Sequence, residues 1–501
     1  MRSLWPIVAL AIVWSVGPAI GPLIRGELIG HGLTDLYPSV WGLWIFTEAQ
    51  PGLPNATKMI GNGMGFYYSS PIKGWLAWPF ISLFGLPATW NMLVLAARIA
   101  TIVCSYAAAR AWGVGQKGAL AAAAVYGCSP FFHGYAVEGI AEGSDGWTLA
   151  LWAWAIGARR FRLAAVPFAL TILSSWYLGM VACLLAALAC LWDRRVLWSG
   201  FGLLLTLPAV YQFATAFPGA APLEAGMRAS MGASLTIPEP GWHDGLYPFA
   251  KNTYVGFIVL WAALMSRTRW VLAAAIPAIL SLGVGPIYDL PVAELVRFPY
   301  RWHAATLALL APAVAITADR LRWGYWLGPL IALEGLLLAP TEPLLPGADA
   351  EIPEYTQHIK HSVLEVPGPV AMPPGKVNRS RARAQYILYY QTAHGGSTPW
   401  APDFNSVGVN APELPERIQA IQRLDPLISS PNETIELDVK LPFHSGHIVI
   451  QKRRLGAKRS SQLAQALEQA GWSKAFDDAN VTVFSNPDDH LSPYYPPPER
   501  R

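Results

Sequence analysis

Three ionisable side chains, Glu27, His31 and Asp35, follow the first apolar segment of the chain at short spacing. The apolar run Leu4–Leu23 is about as long as a bilayer-spanning helix, roughly 20 residues, so these side chains lie at or just outside a membrane face. Ionisable groups so close to hydrocarbon are costly and usually functional. A carboxylate there can act as a general base toward an acceptor hydroxyl, and His31 can assist it or bind a metal. The alternative is that the three residues cap a surface helix or are solvated in a loop.

A second group of acids lies in the segment HGYAVEGIAEGSD, which contains Glu138, Glu142 and Asp145. Glu138 and Glu142 would lie on one face of a helix, as metal-binding carboxylates do, because side chains at positions i and i+4 are neighbours. The glycines of this segment disfavour a regular helix. We therefore expect these acids mainly to be solvated in a loop, with a metal site as the alternative.

A third group is cationic. Arg297 and Arg301 in RFPYRWH are spaced to hold a phosphate near the lipid headgroups, because the guanidinium fork matches phosphate oxygens. The competing interpretation is that both side chains snorkel to the headgroups, and His303 can add to either arrangement. Further basic residues expected on the outer side are Arg25, Lys58, Lys73, Arg228 and Lys251.

The composition indicates an integral membrane protein that must position these groups. Of the 501 residues, 53% are hydrophobic and only 14% are charged, which overrules the several soluble domains that length alone would suggest. The 22 tryptophans suit membrane interfaces, where an amphipathic ring is favoured.

Several classes of function are excluded. The net charge of +4 is small and spread out, so nucleic-acid binding is not indicated. The cysteines lie in apolar segments, which supports neither a disulfide framework nor a zinc site; they are Cys104, Cys128, Cys183 and Cys190. The sequence has no GxxxxGKS loop, dinucleotide fingerprint, HExxH pair or GxSxG elbow, so soluble nucleotide-driven chemistry is not expected.

About eleven apolar segments are predicted to be membrane-spanning helices, and a half-buried segment, 72–86, is predicted to lie along the surface. The first segment is predicted to be an uncleaved signal anchor, because its apolar run is too long for a signal peptide and lacks a good cleavage site. The predicted spans are 4–24, 89–110, 118–134, 147–158, 162–175, 177–192, 196–216, 253–266, 270–285, 302–318 and 323–340.

Basic residues mark every second turn between these segments. The positive-inside rule places such turns, and the N-terminus, in the cytoplasm. The loops 25–71, 135–146, 217–252 and 286–301 are then outside, with a tight turn near Trp176. The basic residues of the N-terminus and of these turns are Arg2, Arg110, Lys117, Arg159, Arg160, Arg162, Arg194, Arg195, Arg267, Arg269, Arg320 and Arg322.

The chain becomes more polar and richer in proline after Pro340. Residues 1–340 are predicted to form an α-helical multi-pass membrane domain with its site in the outer loops, and 341–501 an extracytoplasmic α/β domain with a disordered Pro-rich tail. Its predicted helices are Glu413–Leu424 and Ser460–Ala470. Its predicted strands are Ser362–Val366, Ile435–Val439, His447–Gln451 and Val481–Phe484.

Several segments resemble one family. The first outer loop contains DLYPSVWGLW and is followed by NMLVLAARIATIVCSYAAARAWG, which is similar to the bacterial membrane glycosyltransferases of the GT-C superfamily, YfhO-type multi-pass proteins in particular. The segments AVYGCSPFFHGYAVEG, SSWYLGM and RFPYRWHAA resemble a turn, a helix start and an R-x-P-x-R segment of the same proteins. Later segments resemble the outer domain of these proteins, namely VLEVPG, YILYYQTAHG and HIVIQKRRL…VTVFS.

The resemblance implies transfer of a hexosyl or pentosyl group from a polyprenyl-phosphate carrier to an extracytoplasmic glycan, lipid or protein acceptor. The catalytic base would be an acid of the first outer loop, Asp35 or Glu27. The family often has two closely spaced acids such as Asp-x-Asp, whereas these two are eight apart, so the choice between them stays open. Outer-face groups would hold the lipid phosphate, namely Arg297, Arg301, His31, Lys73, Lys251 and His303. Glu138, Glu142 and Asp145 would form a secondary acidic loop.

The resemblance also implies a location in the bacterial cytoplasmic membrane, as part of the cell envelope. It fixes no cofactor, and the need for a divalent metal, Mg²⁺ or Mn²⁺, stays open. One rival is a transporter or flippase of lipid-linked glycans, which would need polar groups near the middle of the membrane. The predicted spans carry few such groups, Arg98 and Glu334 being the exceptions. A second rival is a non-catalytic assembly partner that keeps the fold.

Overall fold

The apolar segments form helices, and the elements fall into two groups that pack separately. The computed structural model describes residues 4–32, 34–48, 70–216, 249–283, 288, 298–360, 363–366, 379–395 and 446–486. By their contacts, unit 1 comprises Met1–Leu36 and Ser69–Ala350, and unit 2 comprises Tyr37–Tyr68 and Glu351–Arg501.

The helices follow the apolar segments closely, with a helix inside each predicted span. Short 3₁₀ turns lie at Gly17–Ala19, Arg194–Gly200, Pro299–Trp302, Gly324–Trp326 and Glu354–His358. The described α-helices are α1 (Trp5–Val16), α2 (Ile20–Arg25), α3 (Leu36–Glu48), α4 (Pro71–Phe84), α5 (Leu86–Ala111), α6 (Gln116–Gly127), α7 (Pro130–Val137), α8 (Gly146–Gly157), α9 (Ala165–Ser174), α10 (Trp176–Cys190), α11 (Phe201–Ala216), α12 (Phe257–Ser266), α13 (Arg269–Ser281), α14 (His303–Arg320), α15 (Leu327–Leu338), α16 (Arg379–His394), α17 (Lys452–Leu455) and α18 (Ala457–Gln469).

The core of unit 1 is built around α5, α6 and α14. Helix α5 packs against α6 and α8, and α6 packs against α14 and α15. The run 121–124 of α6 consists of four buried alanines. Such small side chains let helices approach closely, which is the usual way in which helices associate within a membrane.

Large apolar side chains on the outside of unit 1 indicate a lipid environment. Val13 of α1, Leu205 of α11 and Leu272 of α13 are 68%, 60% and 74% exposed. An apolar surface of this kind is a liability in water. Three described helical stretches, Trp5–Arg25, Leu86–Ala111 and Pro299–Arg320, are long and apolar enough to cross a membrane. The other apolar helices have 10–17 residues, so helix length does not establish the predicted number of eleven spans.

The predicted span 118–134 is wrong as a single helix. Helix α6 ends at Gly127, and α7 begins only at Pro130. Ser129 is the N-cap of α7, where its hydroxyl accepts the N–H of Phe132 at 3.4 Å. Pro130 suits the first turn of a new helix but has no N–H to continue the preceding one. The Ser-Pro pair therefore divides the segment.

Arg98 and Glu334, the two groups noted above within the predicted spans, have structural partners. Arg98 donates to the carbonyl of Trp14 at 2.8 Å, and its guanidinium lies 3.2 Å from the ring of His133. Glu334 accepts the N–H groups of Phe257 and Ile258, at 2.5 and 3.0 Å. A carboxylate at the first N–H groups of a helix caps that helix and complements its dipole. Glu334 therefore stabilises the start of α12.

The described residues of unit 2 form a mixed four-stranded sheet. The strand order is β3-β4-β6-β5, with β3 parallel to β4 and the other neighbours antiparallel. Three of these strands and α18 lie where they are predicted, whereas β5 and α16 are not predicted, and 413–424 and 435–439 lie outside the described residues. The strands are β3 (Val363–Val366), β4 (His447–Gln451), β5 (Ser473–Asp477) and β6 (Val481–Ser485).

Helix α3 is part of the interior of unit 2. Tyr37, Trp41 and Trp44 are expected from the sequence to anchor this segment in the membrane interface, and that expectation is wrong for Trp41 and Trp44. Trp41 is fully buried and Trp44 is 7% exposed. The indole of Trp41 donates to the Gln391 side chain of α16 at 2.7 Å, and the ring of Tyr37 lies 5.4 Å from that of Tyr389.

Candidate active site

Two glycines bring the segment before α3 onto the turn that follows α7. Gly30 and Gly139 have φ angles of +129° and +64°, which side chains rarely adopt. A Cβ atom on Gly30 would lie 2.9 Å from the Cα of Gly139, and one on Gly139 would lie 2.7 Å from the Cβ of Leu36. Since these distances exclude any larger residue, the close approach depends on both glycines.

Hydrogen bonds complete this contact. The N–H of His31 donates to the carbonyl of Val137 at 2.8 Å. The Thr34 hydroxyl donates to the carbonyl of Glu138 at 2.6 Å. The residue after Thr34 is Asp35, so this bond places the first predicted catalytic acid beside the second acidic segment.

The segment is also held by α5 and by a short strand pair. Strand β1 (Leu28–Ile29) pairs antiparallel with β2 (Gly347–Ala348). The side-chain amide of Asn91 accepts the N–H of Ile29 and donates to the carbonyl of Glu27, both at 2.8 Å. The indole of Trp90 donates to the carbonyl of Ile29 at 2.9 Å. The backbone around Glu27 is therefore fixed on rigid elements.

Glu138 is the most deeply buried acid of this region, so the expectation that it is a solvated loop residue is wrong. Its side chain is fully buried, and Oε1 accepts the N–H groups of Phe249 and Ala250 at 2.6 and 3.0 Å. Oε2 has no hydrogen-bond partner among the described residues. Burial raises the pKa of Glu138 to about 8, although the two N–H groups oppose this rise.

Asp35 and Lys251 lie within electrostatic range of Glu138. Asp35 is half-buried in the turn before α3. Burial is the main cause of the raised pKa of Glu138. The charge of Asp35 raises this pKa further, whereas the ammonium group of Lys251 lowers it. Burial lowers the pKa of Lys251 itself, and Glu138 opposes that shift. Glu138 is therefore influenced by the charges of a second carboxyl group and of an amine.

Arg301 is buried in an aromatic cage. It lies in the 3₁₀ turn before α14, and its guanidinium is centred 3.9 Å from the ring of Tyr177 and 4.7 Å from that of Phe298. Its Nη1 lies 2.5 Å from Oε1 of Glu142. The Arg301 side chain is 6% exposed and that of Glu142 is 22% exposed. Burial disfavours the snorkelling interpretation of Arg301, because a snorkelling guanidinium would be in contact with water.

Lys73 forms a second buried ion pair. Its Nζ lies 3.3 Å from Oδ2 of Asp145, and both side chains are only 2% exposed. The same ammonium group donates to the carbonyl of Ala141 and to the hydroxyl of Ser144. The Ser70 hydroxyl donates to Asp145 at 3.4 Å. Burial raises the pKa of Asp145, and Lys73 opposes the rise. Asp145 is therefore not a solvated loop residue either.

Glu27, His303 and Arg297 have different contacts or lie outside the described part of the chain. Glu27 forms a two-point ion pair with Arg25, at 2.8 and 2.7 Å, and this contact lowers the pKa of Glu27. His303 is buried with its ring 5.5 Å from that of Phe131. Arg297 lies outside the described residues.

Further contacts and electrostatic interactions link these acids and cations to one another. Arg301 donates through Nε to the hydroxyl of Tyr300 at 3.4 Å, and Tyr300 is within electrostatic range of Glu138. Glu142 is within electrostatic range of Lys73 as well as being paired with Arg301. We call the resulting set the charged network; its members are Asp35, Glu138, Lys251, Arg301, Glu142, Lys73 and Asp145.

Comparison with known proteins finds similarity in structure but not in sequence. No protein-family model matches the sequence, and no curated protein sequence matches it. A solved structure that aligns along the chain is the crystal structure of ArnT from Cupriavidus metallidurans bound to undecaprenyl phosphate. The TM-score is 0.41 and the identity 14%, over 97% of this chain and 98% of that chain. A TM-score below 0.5 does not establish a common fold.

The acidic turn is not a helical metal site. Glu138 and Glu142 do not share a helix face, because α7 ends at Val137, and they contact different partners. Among the described residues, no group of three or more His, Cys, Asp or Glu side chains is arranged to hold a metal ion. The described residues therefore provide no set of ligands for the Mg²⁺ or Mn²⁺ ion considered above.

The aromatic cage is the part of the site that sequence reasoning missed. Tyr177 and Tyr135 lie over Arg301 from α10 and α7, at 3.9 and 5.9 Å from the guanidinium. Both tyrosines stand in segments quoted above for their resemblance, SSWYLGM and AVYGCSPFFHGYAVEG. Nothing in those segments indicated that they meet the same arginine, because that contact depends on tertiary packing.

Proposed function

We propose that this chain is a membrane glycosyltransferase that moves a sugar from a polyprenyl-phosphate carrier to an acceptor outside the cytoplasm. The charged network carries the proposal, because it joins acids and buried cations in one unit whose helices face lipid. A lipid-linked donor needs no nucleotide site. It needs a base for the acceptor and cations for the carrier phosphate, and the network contains both.

The reaction would be a displacement at the anomeric carbon. The acceptor hydroxyl loses its proton to a carboxylate, its oxygen bonds to the anomeric carbon, and the bond from that carbon to the phosphate oxygen breaks. The electron pair of that bond leaves on the lipid phosphate. Positive charge develops on the sugar in the transition state, and a neighbouring carboxylate stabilises it.

Asp35 is the first choice for the base. It is half-buried, follows the segment held by the glycine contact, and lies within electrostatic range of Glu138. Glu27 remains the second choice, but its ion pair with Arg25 lowers its pKa and occupies both oxygens. A base that is held in a two-point ion pair is a poor proton acceptor, because protonation would break the pair.

Arg301, Lys73 and Lys251 are the proposed phosphate-binding cations. Arg301 offers a planar fork of donors, which matches phosphate oxygens. Glu142 forms an ion pair with one nitrogen of this fork, Nη1, and is the more exposed partner. We therefore propose that the carrier phosphate displaces Glu142 from Arg301 during donor binding. Glu142 would then act as a counterion that keeps the buried guanidinium paired in the absence of donor.

The finer assignments rest on the sequence motifs. The resemblance suggests the GT-C class and the YfhO type, and the basic turns suggest a bacterial inner-membrane protein with the charged network outside the cytoplasm. A flippase would need ionisable groups that serve a path through the membrane. Arg98 and Glu334, which the sequence singles out within the spans, are held by a carbonyl and by a helix start. These contacts support a structural role for both.

The phosphate site can be tested with polyprenyl phosphate itself as the probe. Binding to the purified full chain in detergent would be compared for wild type, Arg301→Gln, Glu142→Gln and Arg25→Gln. Arg301→Gln should weaken binding about 30-fold, the equivalent of about 2 kcal/mol for a desolvated charge contact. Glu142→Gln should strengthen binding, because it removes the competing carboxylate.

Arg25→Gln is the matched control, since Arg25 is an exposed arginine of the same unit that is paired with Glu27. It should bind like the wild type. Equal affinities for all four proteins, each still folded, would remove Arg301 from the donor site and leave it as a structural cation.

A further inference from the structure

A second cationic site lies at the far end of α8 from the charged network. Helix α8 begins directly after Asp145 and ends at Gly157, and its 12 residues span about 18 Å. The turn beyond it carries Arg159, Arg160 and Arg162, which together with Arg195 line an open cavity of about 490 Å³. This place is therefore separate from the proposed catalytic site.

The cavity is strongly positive. Of its lining residues, all within the described part of the chain, four are arginines and none is acidic. One carboxylate, Asp193, stands beside it and forms an ion pair with Arg195 at 2.7 Å. One carboxylate cannot balance four guanidinium groups, so the cavity retains a net positive charge that favours an anion.

Aromatic rings hold the guanidinium groups in place. Arg162 lies 5.1 Å from the ring of Trp198, and Arg195 lies 4.6 Å from the ring of Phe161. Both rings also line the cavity. Stacking on a ring orders an arginine before a ligand arrives, which lowers the entropic cost of binding. A positive-inside orientation signal needs positive charge in the turn, but it does not need this arrangement around a cavity.

Large apolar side chains border the same cavity. Leu163 and Trp198 belong to its lining and are 44% and 41% exposed, and the adjacent Leu197 is 66% exposed. A small free anion would gain nothing from this apolar border. A phospholipid would bind to both the charged and the apolar residues, since its phosphate can contact the arginines while its acyl chains cover the leucines.

We propose that this cavity binds the phosphate of an anionic phospholipid from the surrounding membrane. The site fits a bilayer lipid that anchors this end of α8 and α9. Arg159 and Arg162 supply charge to the headgroup, and Leu163 and Leu197 contact the chains. The proposal is independent of the glycosyltransferase activity, because none of these residues belongs to the charged network.

The test measures lipid binding to the purified full chain by native mass spectrometry, with phosphatidylglycerol and phosphatidylcholine as probes. Wild type should prefer phosphatidylglycerol. The double variant Arg159→Gln/Arg162→Gln should lose about 30-fold in affinity for it, since each basic side chain near a lipid surface contributes about a factor of five. The matched control is Arg267→Gln/Arg269→Gln, which removes two arginines from another basic turn and should change the affinity by less than about threefold.

Three results would overturn the proposal. Equal binding of both lipids would show that the headgroup charge is not recognised. Equal losses in the two double variants would show attraction to general surface charge rather than to this cavity. Displacement of phosphatidylglycerol by an equal concentration of inorganic phosphate would assign the cavity to free anions.

Discussion

At the scale of single residues, Glu138 shows how burial changes the chemistry of a carboxyl group. Two backbone N–H groups bind one oxygen, whereas the other oxygen has no partner among the described residues. With a pKa of about 8, the group is mostly protonated at neutral pH and can donate a hydrogen bond from its second oxygen. A protonated Glu138 near Asp35 would give the proposed site a hydrogen-bond donor next to the proposed base.

The raised pKa of Glu138 predicts a specific dependence of stability on pH. The folded chain holds the proton with a pKa of about 8, compared with an ordinary value of 4.5. This contribution to stability is therefore complete below about pH 4.5 and is lost as the pH rises through about 8. In Glu138→Gln, which does not titrate, the contribution is absent.

The measurement is the thermal unfolding midpoint of both proteins in detergent between about pH 5 and 9. The midpoint of the wild type should fall relative to that of Glu138→Gln as the pH rises, by several degrees across the range. Parallel pH profiles would contradict the burial of an ionisable Glu138.

The residue types of the candidate site are visible in the sequence, but the pairing of these residues is not. The acids and cations of the charged network all stand out by type and position. Which acid is solvated could not be predicted, because the burial of Glu138 depends on Phe249 and Ala250, more than 100 residues away. The pairing of Arg301 with Glu142 is likewise a tertiary contact.

At the scale of elements, the site depends on the contact between Gly30 and Gly139. Substituting Gly139 by alanine adds two costs, a strained φ angle and a clash with Leu36. Gly26 offers a matched control, because its φ angle of +69° is similar and a Cβ there meets nothing within 4 Å. The difference between the two variants therefore isolates the close approach.

Gly26→Ala should cost about 1 kcal/mol through its backbone alone. Gly139→Ala should cost about 1–3 kcal/mol more and should also lower activity, because it separates Asp35 from Glu138. Thermal unfolding and transfer activity of the two variants would be measured side by side. The same loss in both would mean that the glycine contact does not position the site.

Most helices could be predicted from apolar runs, whereas their interruptions and partners could not. The Ser129-Pro130 break is visible in the sequence, but the apolar run continues through it, and hydropathy alone joins the two helices. Helix α3 is apolar and aromatic, which suits a membrane interface and a protein interior equally well. Only the contact of Trp41 with Gln391 decides in favour of the interior.

At the scale of the whole molecule, the orientation in the membrane remains a prediction from the basic turns. An inside N-terminus and an outside C-terminal part would place the charged network and residues 341–501 on the same side. A reporter fused after Pro340 tests this directly. Alkaline phosphatase should be active there, and a reporter that works only in the cytoplasm should be inactive. The opposite pair of results would place the charged network in the cytoplasm and remove the access to an outside acceptor.

The membrane character could be predicted from composition, and the exposed apolar side chains of α1, α11 and α13 agree with it. The number of spans could not be derived in the same way. Many helices are shorter than a bilayer requires, and a length criterion selects three stretches. Short or interrupted helices are compatible with a site inside a membrane protein, since irregular backbone is tolerated where it is buried in protein.

The central claim is that Asp35 is the base of a lipid-linked sugar transfer. The most direct measurement is the profile of lipid carriers in a deletion strain, read by mass spectrometry of extracted lipids and complemented with wild type, Asp35→Asn or Glu27→Gln. We expect the deletion to accumulate a polyprenyl-phosphate-linked sugar. Wild type and Glu27→Gln should remove it, whereas Asp35→Asn should not, because loss of a general base lowers the rate about 10²–10⁴-fold. Full complementation by a correctly inserted Asp35→Asn protein, or no accumulation in the deletion strain, would contradict the claim.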